Sequence, residues 1–193
     1  MGNRFILLVI LALICLTFST RPSEVERIPS NLTGESYIVR NLPDKKLAAE
    51  TLADLHLKLQ QLISYTRQTD PDHPGVRRLA QKFQGKISER TAESLYTSYT
   101  VNKGEHVHMC IRHTDNSLVD RNTIFYVGLH EMAHIMTLGQ GHTDDFKANF
   151  KFLVHRALDH GLYQYKPYHV EHQEYCGIQI KNTPVKGGLT KEV

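Results

Sequence analysis

The longest apolar run lies near the start of the chain, where Phe5 to Phe18 reads FILLVILALICLTF with only Thr17 to interrupt it. Arg4 precedes the run and Ser19-Thr20-Arg21-Pro22 follow it. Such a run is shorter than the roughly 20 residues that span a bilayer comfortably, and it has the length and flanks of a secretory h-region. No polar face occurs within it, which argues against a buried core helix. Residues 1–20 are therefore read as a signal peptide or an uncleaved signal anchor. Residues 21–43 carry Pro22, Pro29 and Pro43 among Ser, Asn and Gly, the pattern of a tether or irregular arm.

A helical rhythm begins at Asp44, a residue suited to an N-cap. Leu52, Leu55, Leu59 and Leu62 follow at spacings of three and four, predicting a helix that ends near Thr66. Asp70-Pro71-Asp72-His73-Pro74-Gly75 marks a turn. Val76, Leu79, Phe83 and Ile87 suggest a second helix, interrupted around Gly85. The period then shortens. Tyr96 to Val101 (YTSYTV) is rich in β-formers, Asn102-Lys103-Gly104 resembles a turn, and Val107 to Ile111 is a second strand, so the two predict a hairpin. Residues 113–122 are polar. A helix is expected from about Asn122 to Thr137, broken by Gly139-Gln140-Gly141, and another from His142 or Thr143 carries Phe146, Phe150, Leu153, Val154 and Leu158 on one side. Gly161 closes it. The remainder is aromatic and irregular, with a last strand over Tyr175 to Ile180. The fold class is α+β, with N-terminal helices, a small antiparallel sheet and two later helices. Residues 44–182 make the domain and 183–193 a C-terminal tail.

The 193 residues suffice for one domain with a core, and the net charge of +3 is mild. Lysines and arginines are scattered, which is not the footprint of a nucleic-acid-binding protein. Asn31-Leu32-Thr33 is an N-glycosylation sequon, in keeping with a lumenal or extracellular body in the secretory pathway, either secreted or held to the membrane by an uncleaved leader. Of three cysteines, Cys15 sits in the leader. Cys110 and Cys176 either pair in an oxidising compartment or stay as two separate thiols. Neither belongs to a CxxC pair, which disfavours a cysteine zinc site.

Histidine is the unusual component, with 12 in the chain. Val127 to Met136 reads VGLHEMAHIM, so His130 and His134 project from one helix face about one turn apart. That is the reach two imidazoles need to hold one zinc ion at about 2.0–2.1 Å each. Glu131, beside the first ligand, can touch a water on the metal without occupying the metal itself, as a general base must. A catalytic zinc needs a third protein ligand and an open position. The glycine-flanked turn after Leu138 lets the chain reverse and return His142 toward the metal. Asp144 and Asp145 are its nearest carboxylate rivals, Asp159 and Glu174 remote ones. An oxyanion would need a further donor, for which Tyr168 and His169 are the choices among the downstream aromatics and histidines. Strand residues His106 and His108 share a face, lining the cleft, turned to solvent with Cys110, or simply partly buried.

The segment HEMAH followed by Gly141-His142-Thr143-Asp144-Asp145-Phe146 resembles the WLM and SprT-like families of zincin metallopeptidases, which show HExxH, a short turn and a third histidine in an HxxxF pattern. The likeness covers roughly residues 95–160, with the motif confined to 130–146. It implies a zincin-like fold, His130, His134 and His142 as zinc ligands, Glu131 as catalytic base, and the following helix as the source of the third ligand. A hairpin ahead of the active-site helix is what a zincin's sheet supplies, its edge strand receiving an extended peptide or protein substrate. An endopeptidase is favoured over an exopeptidase. Members of those families often act on DNA-crosslinked proteins through added DNA-binding segments. This chain has a hydrophobic leader, a sequon, no basic tail and no zinc ribbon, so the fold and chemistry carry over and the DNA-linked role does not. The competing readings are an inactive zinc-binding interaction protein, secreted or membrane-anchored, and an anchored structural protein in which HExxH is accidental.

Overall fold

The computed structural model describes residues 23–185. The leader read into residues 1–20 and most of the tail from 183 lie outside the described residues. Among the described residues no helix is long and apolar enough to cross a membrane.

The chain order is β1 (Val25–Pro29), β2 (Ser36–Arg40), α1 (Lys45–Thr69), α2 (Pro74–Lys82), β3 (Ile87–Glu89), β4 (Tyr99–Val101), β5 (His106–Met109), α3 (Arg121–Met136), α4 (Asp144–Asp159), β6 (Gln173–Tyr175) and β7 (Ile178–Ile180). The irregular arm read into residues 21–43 is instead a hairpin, β1 pairing antiparallel with β2 from Val25↔Arg40 to Pro29↔Ser36. Pro29 is tolerated because it ends an edge strand, where no ladder donor is needed. Asn31 lies exposed in the turn of this hairpin.

The five-stranded sheet has the order β1-β2-β3-β5-β4. It is mixed, not the antiparallel sheet expected: β3 runs parallel to both β2 and β5, while β1 and β4 are antiparallel edges. The difference traces to Ile87, whose place in the helical rhythm is accidental. The helix stops at Lys82, Gly85 takes a left-handed φ of +73°, and Ile87–Glu89 enters the sheet with all three residues buried. Gly85 is also the residue that lets the chain pass close to His56, since a Cβ there would stand 2.8 Å from the ring's Nε2.

Helix α1 buries Leu52, Leu55, Leu59 and Leu62 together with Ala48, Ala49 and Ala53, and the alanines let it approach β1, β2 and β3 closely. Asp44 holds the N-cap position, but its side chain makes no cap bond. Its carboxylate instead accepts from Arg112 Nη1 at 2.6 Å, and the same guanidinium reaches Glu89 Oε1 through Nε at 2.7 Å. Arg112 and Glu89 are almost fully buried and tie the β5 exit, β3 and the start of α1 together. Helix α3 packs on α1, α2 and α4 and reaches β4 and β5. Gly128 allows the α1–α3 approach, because a Cβ would lie 2.8 Å from Leu55 Cδ1.

Candidate metal centre

Asp120 caps α3 by accepting from the Thr123 amide at 3.0 Å. Leu129, Met132, Ala133, Ile135 and Met136 are buried, which fixes the helix rotation and leaves His130 and His134 facing a cleft on the other side. Their ring centroids are 4.9 Å apart. Beyond Met136 the chain crosses an exposed loop, Leu138 to Gly141, with Gly141 at φ +74°. Thr143 then caps α4, accepting from the Phe146 amide at 3.3 Å. His142, just ahead of that cap, is thereby turned back until its Nε2 lies 3.1 Å from His130 Nε2. The ligating atoms of the three histidines all lie within 4.8 Å of one another, the one such cluster of His, Cys, Asp or Glu among the described residues. Phe146 packs on all three rings, at 4.8, 4.3 and 4.7 Å.

The donor set fits a zinc ion. Two tetrahedral ligands at about 2.0–2.1 Å stand roughly 3.4 Å apart, close to the observed separation between His130 and His142. Burial, with repulsion from the neighbouring imidazoles, holds His130 down to about 3 and His134 to about 4, so both are neutral at pH 7 with lone pairs to give. Three of the four carboxylate rivals are engaged elsewhere, and Asp145 is not part of the cluster. Glu174 meets His113, Asp159 meets Arg156, and Asp144 meets Lys147.

Glu131 is 4% exposed. Burial pushes its carboxyl up to about 7, against the opposing pull of Thr100, whose hydroxyl donates to Oε2 at 3.0 Å. Thr100 is the middle residue of β4, so the edge strand itself holds the carboxylate. The cleft above measures about 1250 Å³. Its walls are β4, Tyr126 and Val127 of α3, Phe146 and Phe150 of α4, β7, and the segment from Lys181 to Pro184. The disulfide between Cys110 and Cys176, with Cα atoms 6.4 Å apart, fastens the turn of the β6–β7 hairpin to the end of β5. Tyr175 braces the same hairpin, donating to the Cys110 carbonyl at 2.7 Å and meeting Ser98 Oγ at 2.8 Å.

Two of the expected site residues are not brought to the cleft. Tyr168 is 1% exposed and its hydroxyl meets Thr123 Oγ1 near the start of α3. His169 is exposed and does not line the cleft. His106 and His108 stack at 4.3 Å on the other face of the sheet, with Ser88 Oγ between them. What sequence reasoning missed was Thr100, Lys103 and Tyr175. Period-two alternation in β4 turns Thr100 inward once the flanking Tyr99 and Val101 are placed outward, so Thr100 carried a local signal; the other two carried none.

An α+β domain whose buried glutamate and three converging histidines open on a sheet edge defines the class to which this chain's architecture belongs. The chain is 32% identical over 190 residues to uncharacterized protein R325 of Acanthamoeba polyphaga mimivirus, covering 95% of this chain and 96% of that protein, and it belongs to the same family. It is also similar to uncharacterized protein 042R of Invertebrate iridescent virus 3, 35% identical over 42% of this chain and 50% of that protein. A third relative, uncharacterized protein 136R of Invertebrate iridescent virus 6, is 29% identical over 61% of this chain and 67% of its own length. No protein-family model matches the chain. Among solved structures, that of Wss1 from Saccharomyces cerevisiae is similar at a TM-score of 0.48 and 19% identity, over 64% of this chain and 90% of that one.

Proposed function

We propose that this chain is a zinc-dependent metallopeptidase that cleaves an extended peptide segment laid along β4. The observation that carries the reading is the placement of buried Glu131 beside the His130, His134 and His142 cluster, on the floor of a cleft bounded by a free strand edge. A site that only stabilises a fold has no use for a buried carboxylate next to three converging imidazoles and an open cleft.

His130, His134 and His142 would hold the ion. Zinc in such a site supplies a Lewis acid that polarises a carbonyl and acidifies water. Glu131 would take the proton of the attacking water and return it to the departing amine, a role that fits a buried carboxylate beside the three histidines. Thr100 orients that carboxylate through its hydroxyl. Among the described residues the same strand is a sheet edge with no neighbour on its outer side, so substrate backbone can add to the sheet within reach of Glu131. Entry into the secretory pathway belongs to the same reading, supported by the disulfide and by the exposure of Asn31 at a hairpin turn.

The test is zinc content and hydrolysis of a casein-type unfolded protein by the wild type and Glu131→Gln. The expected result is one zinc per chain in both, with hydrolysis lost by several orders of magnitude in the variant. A folded wild-type protein that takes up no zinc points instead to an interaction protein, as does a loaded one that cleaves nothing.

A further inference from the structure

The exposed loop from Leu138 to Gly141 sets the position of His142, yet no hydrogen bond to backbone from another backbone group is formed within it among the described residues. One side chain does hold it. Lys103 Nζ donates to the Gly139 carbonyl at 2.6 Å, the Thr137 carbonyl at 2.9 Å and the His134 carbonyl at 3.2 Å. Three carbonyl acceptors match the three protons of an ammonium group, so its hydrogen-bonding capacity is filled. Two of the three belong to the last turn of α3 and its C-cap, where the helix dipole favours a cation. The third belongs to the loop itself.

We infer that Lys103 is a positioning residue for the metal centre: it clasps the loop after α3 so that His142 stands where His130 and His134 can share an ion with it. The inference rests on the zinc-site reading above. Lys103 sits in the β4–β5 turn, where Asn102, Lys103 and Gly104 all have positive φ values of 47°, 56° and 116°. That left-handed run aims the side chain under the end of α3 instead of into solvent. The turn also joins the clasp to β4, the strand that carries Thr100 and borders the cleft. Arg78 adds a second cation at the same helix end, donating to the Met136 carbonyl, but it bonds no residue of the loop. The role therefore falls to Lys103 alone among the described residues.

The chemistry is that of outer-shell support. A ligand on a loop with no fixed place must be ordered when the ion binds, and the lost freedom is subtracted from affinity. Removing an outer-shell partner typically weakens metal binding by 10–100-fold.

The experiment measures zinc affinity of the full chain by competition with a chromophoric chelator, for wild type, Lys103→Met, Lys103→Arg, His142→Ala and the Lys103→Met/His142→Ala pair. Methionine keeps the apolar stem and removes the donors. Expected is a loss of about 10–100-fold in Lys103→Met, substantial recovery in Lys103→Arg, and almost no further loss when Lys103→Met is added to His142→Ala. The visible spectrum of the cobalt-substituted protein should shift in Lys103→Met toward that of His142→Ala. Should the methionine variant fail to fold by circular dichroism, Lys103→Gln, which can still bond one carbonyl, carries the same comparison. Wild-type affinity in a folded Lys103 variant overturns the inference, and so does an equal loss in the presence and absence of His142. If the wild type itself binds no zinc, it is the metal-site reading that has failed.

Discussion

Cutting the disulfide should loosen the protein in a way that can be calculated. Cys110 and Cys176 are separated by 66 positions, and closing a loop of that size removes about 15 cal/mol/K from the unfolded chain, or about 4 kcal/mol at 25 °C. The perturbation is the double variant Cys110→Ala/Cys176→Ala, which leaves no thiol at either end of the broken bond and buries no new polar group. Urea unfolding followed by far-ultraviolet circular dichroism gives the assay. The free energy of unfolding should fall by about 2–4 kcal/mol, the lower figure allowing for residual structure in the denatured chain. The urea m-value should rise as well, because the uncrosslinked denatured state exposes more surface. A local consequence follows from where the bond sits. It fastens the β6–β7 turn, and Ile178 and Ile180 of β7 form part of the cleft wall. Hydrolysis by the variant should therefore suffer mainly in KM at temperatures where the protein is still folded. Equal unfolding free energies and m-values with and without the bond would refute the reasoning, since the bond would then constrain neither the unfolded chain nor the wall.

Two further expectations concern the scaffold and its response to acid. Arg112→Met should destabilise by about 3–5 kcal/mol, because Glu89 would stay buried with its charge uncompensated; thermal unfolding should drop by roughly 6–20 °C, and adding Glu89→Met should restore only part of this, since the Arg40 amide also depends on Glu89 at 2.8 Å. In chelator-treated protein, His130 and His134 bind protons far less readily folded than unfolded, so their contribution to stability is intact above about pH 6.5 and is lost as the pH falls toward about 4 and then about 3. Glu131 acts in the opposite sense, its burial penalty being relieved as the pH falls through about 7. The two histidines outweigh it, so the urea midpoint should fall from pH 6.5 to 4.5, and more steeply in Glu131→Gln; a midpoint independent of pH, or a shallower slope in that variant, would contradict the assignment.

The parts of this molecule legible in its sequence are those specified over a few residues. Two histidines four apart on an apolar helix share a face whatever the rest of the chain does, and a glycine turn followed by a threonine cap turns the chain back in their direction at His142. The leucine stripe of α1 and the β4–β5 hairpin were legible for the same reason. What was not legible depends on residues far apart. Ile87 satisfies the helical period of α2 as well as any core residue, and only the gap between β2 and β5 makes Ile87–Glu89 a strand. The prolines of residues 22–43 suggest irregularity, but Pro29 sits at the end of an edge strand, where a proline does no harm; the hairpin is held by Ser30 and the Asn31 amide bonding to Glu50, 19 and more positions away.

The downstream tyrosines show the limit most clearly. Tyr163, Tyr168 and Tyr175 are equally aromatic and equally buried, and nothing local says which of them approaches Glu131. The choice is made by long-range ties. Tyr126 donates to the Asn182 carbonyl, Thr183 receives the Tyr168 amide, and Cys176 is bonded to Cys110. These contacts carry the C-terminal segment across α3 so that Tyr168 falls behind the helix start while Tyr175 falls beside the cleft. Tyr168 was a reasonable choice on composition and lost its place to topology. Lys103 is the converse case. Its sequence context, an Asn-Lys-Gly turn, reads as exposed, and only the positive φ values that aim it beneath α3 turn a surface lysine into the clasp of the loop that bears His142.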